Sequence, residues 1–318
     1  MVSKNMANSN MAVDHPLQEA VRELERRRKS RIFVMIQGGP DHLCVPTMSM
    51  IREARAEFGK ANTLEILIHS SGGHADVAYA AMNFFRAHCK MLNVIVPRRA
   101  KSAATLMCLA ADFIFAGEFA EFGPLDVQIS DPYERGAAPF SPLDEFKSME
   151  FLREYATELL DYFALLLIER SGMSVKDALH ESIPALTGLM APLYGRIDPS
   201  KVGGYRRALA IGEEYAKRLL RRRGIKNADE IVEKLVWGYP SHDFVIDVTE
   251  LRQLGLPSSR ITDEEEAILL PAMEGVLKNG SSVYGFADRA RRTKTGKQRK
   301  RRLKGPEMPA AQPGLKAI

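Results

Sequence analysis

The chain has 318 residues, of which 45% are hydrophobic and 27% charged, with 23 Gly and 17 Pro, the composition of an ordinary globular protein. Charged residues interrupt even the richest apolar segment, Leu159 to Ile168, so no run reaches the roughly 18 apolar residues of a membrane-spanning helix. Met1 to Asp14 is polar and lacks the apolar core of a secretory signal, so the expectation is a cytoplasmic protein with no membrane span.

Three cysteines, Cys44, Cys89 and Cys108, sit in apolar surroundings without metal-knuckle or disulfide spacing and read as buried thiols. The formal charge of +5 hides an asymmetry. Ten cations from Arg289 to Lys304 carry it, and taking those ten from +5 leaves a body of −5. From Asn279 onward apolar periodicity gives way to Gly, Ser, Lys, Arg and Pro, so residues 279–318 are expected to form a disordered basic tail. Such a tail serves as a solubilising segment or as a polyanion-binding arm.

In chain order, a charged N-terminal helix over His15 to Lys29 (segment 1–30) precedes the β-branched run Ile32 to Ile36, a buried strand closed by Gly38-Gly39-Pro40. Helical spacing follows over Pro46 to Phe58. A second strand, Leu64 to Ile68, ends at His69-Ser70-Ser71-Gly72-Gly73 and opens a helix over Ala75 to His88. A third strand, Asn93 to Val96, leads through Pro97-Arg-Arg-Ala-Lys-Ser102 into a small-residue helix over Ala103 to Ala111. Phe113 to Phe115 is a fourth strand, leading to Phe122-Gly-Pro-Leu-Asp126. This alternation predicts a largely parallel α/β sheet. A helical excursion is expected over about 141–223, with long segments at Glu145 to Glu169 and Gly203 to Arg222 joined by loops holding Pro184, Pro192 and Pro199. Phe244 to Ile246 then reads as a short strand and Val248 to Leu254 as a short helix, within a domain spanning 31–278.

Two strand-to-helix junctions carry chemistry. Backbone amides at Gly72-Gly73 point outward with no side chain in the way, and Ser102 turns into a helix of very small residues that leaves its hydroxyl accessible. In a parallel sheet both junctions lie at the carboxyl edge, an arrangement that suits Ser102 as a nucleophile beside an oxyanion site made by Gly72 or Gly73 and Ala103. The competing structural reading is a tight glycine turn and an N-capping serine.

The segments Ile66-Leu-Ile-His-Ser-Ser-Gly-Gly-His-Ala-Asp76, Val94 to Asp112 and Glu121-Phe-Gly-Pro-Leu-Asp-Val-Gln128 resemble the serine dehydrogenase proteinase family of the Clp protease/crotonase superfamily, related to signal peptide peptidase A. The likeness covers about Arg31 to Gln128, with further similarity at Leu193 to Pro199 and Ser241 to Ile246. It implies a ββα-spiral core, Ser102 as nucleophile, an oxyanion site at Gly72-Gly73, a peptide or protein substrate and a homo-oligomer. Ser71 stands where the family commonly has Pro, and Ala103-Ala104 where it has Gly soon after the serine.

Where a Clp-type histidine would follow, this chain has Pro124-Leu-Asp-Val-Gln128. The membrane-associated relatives use a lysine instead, and Lys147 lies at a comparable distance after Ser102; a buried lysine serves as a base because desolvation disfavours its ammonium form. Flanked by Asp144, Glu145 and Glu150, it reads equally as a surface lysine. His242 is the other candidate, since histidine needs no large shift to act near neutrality; its alternative is a junction residue bonded to backbone. Asp126 is read as orienting a base, binding substrate or occupying a turn, Lys101 as facing solvent or a substrate carboxylate, and His69 and His74 as packing or loop residues. The cations from Lys217 to Arg223 complement a helix C-terminus. No P-loop, dinucleotide fingerprint or zinc spacing appears, so neither metal nor cofactor is expected. The expectation is a serine peptidase, against an inactive oligomeric platform and a crotonase-like acyl-CoA enzyme.

Overall fold

The computed structural model describes residues 15–39, 41–59, 61–126, 141–287 and 291–293, in two compact units: Met1–Phe122 with Asp247–Ile318, and Gly123–Ile246. The first unit begins with α1 (His15–Arg28), β1 (Arg31–Ile36), α2 (Val45–Glu53), β2 (Ala61–His69) and α3 (Ala75–Arg86). It continues with β3 (Cys89–Val96), β4 (Arg99–Ala100), α4 (Ala103–Leu109), β5 (Phe113–Ala116) and β6 (Glu121–Phe122). The second unit holds α5 (Pro142–Ser171), α6 (Val175–Tyr194), α7 (Pro199–Arg222) and α8 (Ala228–Trp237). The chain then re-enters the first unit with α9 (Val248–Gln253), β7 (Ser258–Arg260), α10 (Asp263–Lys278), β8 (Ser282–Phe286) and β9 (Arg291–Thr293).

The first unit is a mixed α/β structure. Its seven-stranded sheet has the order β7-β5-β3-β2-β1-β8-β9, parallel from β7 to β1 and antiparallel at β8 and β9. The apolar runs of β1, β2 and β3 are buried because helices cover the sheet. Leu17, Ala20, Val21 and Leu24, at helical spacing, place one face of α1 in the core with Leu269, Met273 and Val276 of α10. A buried ion cluster ties these layers. Arg28 donates to both oxygens of Glu65 at 2.7 and 2.8 Å and to Glu265 at 2.9 Å. Glu65 also accepts from Ser30 and Asn93, so a carboxylate only 1% exposed is fully paired.

In the second unit α5 packs on α6 and α7, and α7 on α8. Leu219, Leu220, Ile231, Val232 and Leu235 form its interior, while Phe151, Tyr162, Leu165 and Val175 are exposed. Among the described residues, no helix is long and apolar enough to cross a membrane.

Several expectations change. Pro184 and Pro192 lie inside α6 rather than in loops; its neighbours' packing outweighs the missing N–H donors. Phe244 to Ile246 forms no strand, only a single bridge at Ile246. Among the described residues the helices of the second unit run from Pro142 to Trp237, and α1 packs into the core of the first unit. Cys108 is buried, but Cys44 and Cys89 are half-buried, and all three are free thiols. The expected tail begins too early. Ser282–Phe286 is a fully buried strand, with Phe286 at 5.3 Å from Phe33 and 4.7 Å from Phe58 between ring centres. The reason is composition: Val283 on one face and Tyr284 with Phe286 on the other suffice for a short buried strand despite the flanking polarity. The rest of the basic run lies largely outside the described residues.

Burying Val283, Tyr284 and Phe286 contributes on the order of 5 kcal/mol at about 1.5–3 kcal/mol per side chain. Truncation after Asn279 should therefore remove a large share of a typical unfolding free energy of about 5–15 kcal/mol. Truncation after Thr293 should leave the urea midpoint within experimental scatter of the full chain, and equal midpoints for both would contradict the role of β8.

Candidate active site

In the first unit each long parallel strand is followed by a short second-layer segment and, for the first three, by a helix. Leu43 follows β1, Ser70–Gly73 follows β2, β4 follows β3 and β6 follows β5. These segments pair in parallel through the bridges Leu43 to Gly73 and Ser70 to Ala100 and the ladder of β4 with β6. Ser70 N–H donates to Arg99 O at 3.0 Å and Lys101 N–H to Ser70 O at 3.1 Å. Two residues on from that bridge, Gly72 therefore comes beside Ser102.

Gly72 has φ +105° and Gly73 φ +138°. A Cβ on Gly72 would lie 2.8 Å from Ser102 Cβ, and one on Gly73 would lie 2.3 Å from Leu43 O. Glycine is required at both places for close approach as well as for dihedral freedom.

Ser102 has φ +51° and ψ −121°, and Ala104 N–H donates to Lys101 O at 2.9 Å. Those angles match the first central position of a type II′ turn, normally glycine's. Holding serine there costs about 1–3 kcal/mol, a strain of the sort found at functional sites. Its side chain is half-buried and makes no capping bond, so the N-cap reading fails. Thr105 Oγ1, donating to Ala100 O at 2.6 Å, anchors the turn from behind.

The amides around Ser102 differ. Gly72 N–H donates to Ser70 Oγ at 3.0 Å, which corrects the expectation that it stands open as an oxyanion donor. Gly72 O accepts from Leu43 N at 2.7 Å and Leu43 O accepts from His74 N at 2.9 Å. Since the peptide is trans, Gly73 N–H points away from Leu43. Among the described residues, the N–H groups of Gly73 and Ala103 make no hydrogen bond. His69, with its Nδ1 buried and unpaired, has its pKa lowered to about 4 by burial, assisted by Arg99 and Arg98, and stays neutral. Lys101 faces Glu121 at 3.7 Å rather than open solvent.

The second unit holds both candidate bases. His242 Nδ1 lies 2.8 Å from Asp126 Oδ1, and Asp126 Oδ2 accepts from the Ser141 hydroxyl at 2.7 Å. Asp126 is 1% exposed. Burial pulls the His242 pKa down, but the hydrogen bond and charge of Asp126 outweigh it, and the net shift is upward. The Nδ1 bond is thus to a carboxylate, with a backbone hydrogen bond to Asp126 beside it, and a carboxylate partner is the pairing that fixes an imidazole's tautomer and orientation. Lys147 Nζ donates to Tyr239 O at 2.5 Å. Sequence reasoning weighed Asp126 and His242 separately and missed Ser141, the N-cap of α5, because only folding joins positions so far apart. It also missed Gln37 and Tyr284. Gln37 Nε2 donates to the Tyr284 hydroxyl at 2.8 Å and Gln37 Oε1 accepts from the Ser70 hydroxyl, directly behind Gly72. Among the described residues, no cluster of His, Cys, Asp or Glu is arranged to hold a metal ion.

Residues 4–137 match the family model described as ClpP-like SDH-type serine proteinase, the family that the three sequence motifs resemble. The mixed α/β core with its parallel-dominated sheet is consistent with the Clp/crotonase-like fold. Two uncharacterized proteins of Methanocaldococcus jannaschii are 27% identical over 74% of this chain and 69% of theirs, and 26% identical over 83% and 80%. Among solved structures, a mutant of the 1510-N membrane-bound stomatin-specific protease in complex with a substrate peptide is 15% identical. It covers 80% of this chain and 81% of its own, with a TM-score of 0.44. A mutant of ClpP1 from Listeria monocytogenes is 17% identical over 50% and 83%, with a TM-score of 0.24.

Two predictions follow from the geometry. Gly73→Ala forces a methyl against Leu43 O in a dihedral region disfavoured for alanine, and should lower the thermal midpoint by several degrees; an unchanged midpoint would refute the close approach. The two histidines give stability opposite pH dependences. His69, neutral when folded, costs stability as pH falls from 6.5 to about 4, by roughly 3 kcal/mol at the lower end. His242, raised when folded, contributes fully below 6.5 and loses that contribution as pH climbs through its folded pKa. Urea unfolding across pH should show His69→Gln flattening the acid limb and His242→Gln flattening the limb above 6.5.

Proposed function

We propose that this protein is a serine peptidase in which Ser102 attacks a peptide carbonyl, the N–H groups of Gly73 and Ala103 hold the oxyanion, and His242, oriented by Asp126, takes the serine proton. The observation that carries the reading is Ser102 in a glycine-type turn against Gly72, with two amides beside it that make no hydrogen bond among the described residues. The match to a serine proteinase family supports a serine peptidase in general terms.

In this scheme the Ser102 Oγ–H proton passes to His242 Nε2 as Oγ bonds to the carbonyl carbon. The carbonyl oxygen gains the negative charge that the two amides stabilise. The imidazolium returns that proton to the leaving amine, and water hydrolyses the acyl-enzyme by the same steps. His242 is favoured over Lys147 because it has a buried carboxylate partner at 2.8 Å, whereas the lysine amine donates to a main-chain carbonyl. Gly72 serves as the spacer that lets the chains approach. The exposed Phe151, Tyr162 and Leu165 support the homo-oligomer implied by the resemblance.

Ser102→Ala should abolish both casein hydrolysis and labelling by a fluorophosphonate, and labelling that persists in this variant would exclude the assignment. His242→Ala should reduce turnover by about 10²–10⁴-fold and Lys147→Ala much less; the reverse order transfers the base to Lys147. Because His242 acts only when unprotonated, kcat/KM should rise with pH through a midpoint above 6.5. Asp126→Asn removes the partner that raises the pKa and should move that midpoint downward.

A further inference from the structure

Behind the candidate oxyanion site a chain of neutral hydrogen bonds runs through the interior of the first unit. Cys44 N–H donates to Thr47 Oγ1 at 3.1 Å, and Thr47 lies beside Tyr284 of β8. The Tyr284 hydroxyl accepts from Gln37 Nε2, Gln37 Oε1 accepts from the Ser70 hydroxyl, and Ser70 Oγ accepts from Gly72 N–H. Thr47, Gln37, Ser70 and Tyr284 are 0, 5, 2 and 4% exposed. A packed apolar arrangement would avoid the desolvation of these groups, so their retention calls for a physical role.

We propose that Ser70, held by Gln37 and Tyr284, is a positioning residue that fixes the Gly72 peptide and thereby aims the Gly73 amide as oxyanion donor. This rests on the serine peptidase reading above. The bonds at Gln37 and Ser70 have a defined direction. Gln37 Nε2 faces the Tyr284 oxygen, so its Oε1 faces Ser70; the Ser70 hydroxyl must donate to that oxygen, which leaves its lone pairs for Gly72 N–H. On the opposite side Leu43 N–H holds Gly72 O at 2.7 Å. Gly72 is thus clamped at both its N–H and its C=O, although glycine at φ +105° is intrinsically free to rotate. Clamping Gly72 O sets the plane of the following peptide, and the Gly73 N–H in that plane points away from Leu43.

Removing the Ser70 hydroxyl releases one side of the clamp and leaves Gly72 N–H and Gln37 Oε1 without their partner. An oxyanion donor then samples several directions, and small misplacements at a reacting centre are expensive in rate. The structural alternative is that the chain merely holds β8 to β1. That alternative moves the thermal midpoint and leaves the chemistry of correctly folded protein unchanged.

The test is fluorophosphonate labelling of Ser102 in the full-length protein, followed to saturation so that the maximal rate and the half-saturating concentration separate. Phosphonylation places a developing negative oxygen in the same site. For Ser70→Ala the maximal rate should fall by about 10–100-fold with the half-saturating concentration changed less than about threefold. Ser70→Thr, which keeps the hydroxyl, should restore the rate to within about threefold of the original. Tyr284→Phe, which removes one oxygen at the far end, should give a smaller fall of about three- to tenfold. A folded Ser70→Ala protein with an unchanged rate overturns the proposal. A raised rate overturns it too, since it would mean that Ser70 sequesters Gly72 N–H from the site. If Ser70→Ala does not fold, Tyr284→Phe decides, and an unchanged rate there rejects the relay. Wild-type protein that gives no adduct at Ser102 defeats the peptidase reading and the relay with it, whereas an adduct whose rate ignores these variants defeats the relay alone.

Discussion

The contact on which the site depends is the side-chain-free approach of Gly72 to Ser102. It is created by a single parallel bridge, Ser70 to Ala100, whose two hydrogen bonds fix the register of the second-layer segments. Shifting that register by one residue would reverse the alternation and aim the neighbouring groups elsewhere. A methyl group at Gly72 would collide with Ser102 Cβ at 2.8 Å. Backbone geometry therefore brings the alcohol and the amides together, and no flexible side chain is needed to do so.

The strained turn at Ser102 persists because its surroundings over-determine it. All seven residues of α4 are buried, and Thr105 ties the helix back to Ala100. This also accounts for Ala103-Ala104 where the resembling family commonly has glycine. Both alanines are in or entering α4, where helical dihedrals suit alanine well, and both point their methyl groups into the interior at 4 and 0% exposure. The one residue of the turn in a glycine-like conformation is the serine itself.

The parallel core was legible because β-branched runs ending in glycine or proline mark buried strands, and strands alternating with helices leave few topologies. The same logic located Ser102 and Gly72-Gly73 at one edge. What it missed was long-range pairing. Nothing in the local patterns of Asp126 and His242 says that one carboxylate oxygen will meet one imidazole nitrogen 116 positions away. The strand β8 was hidden by composition, because Ser281, Ser282 and Gly285 dilute the three apolar residues that matter, and a strongly basic run follows. Pro184 and Pro192 punctuated the sequence as loops, yet α6 runs through both, since its contacts with α5 outweigh a local breaker.

The electrostatic character of the carboxyl edge follows from these same residues. At the buried Glu65 position charge is paired with charge, Arg28 answering two carboxylates. Behind Gly72 every member of the buried chain, Ser70, Gln37, Tyr284 and Thr47, is neutral. His69 is kept neutral by burial and by Arg98 and Arg99, and Lys101 is offset by Glu121. A carboxylate placed there would repel an oxyanion, and an unpaired cation would bind anions without discriminating between ground state and transition state. Fixed neutral dipoles respond chiefly to charge as it develops, and in a low-dielectric interior their effect is largest when they need not reorient. In the proposed peptidase the neutral buried chain and the amides of Gly73 and Ala103, which make no hydrogen bond among the described residues, are groups aimed in advance at a charge that exists only during reaction.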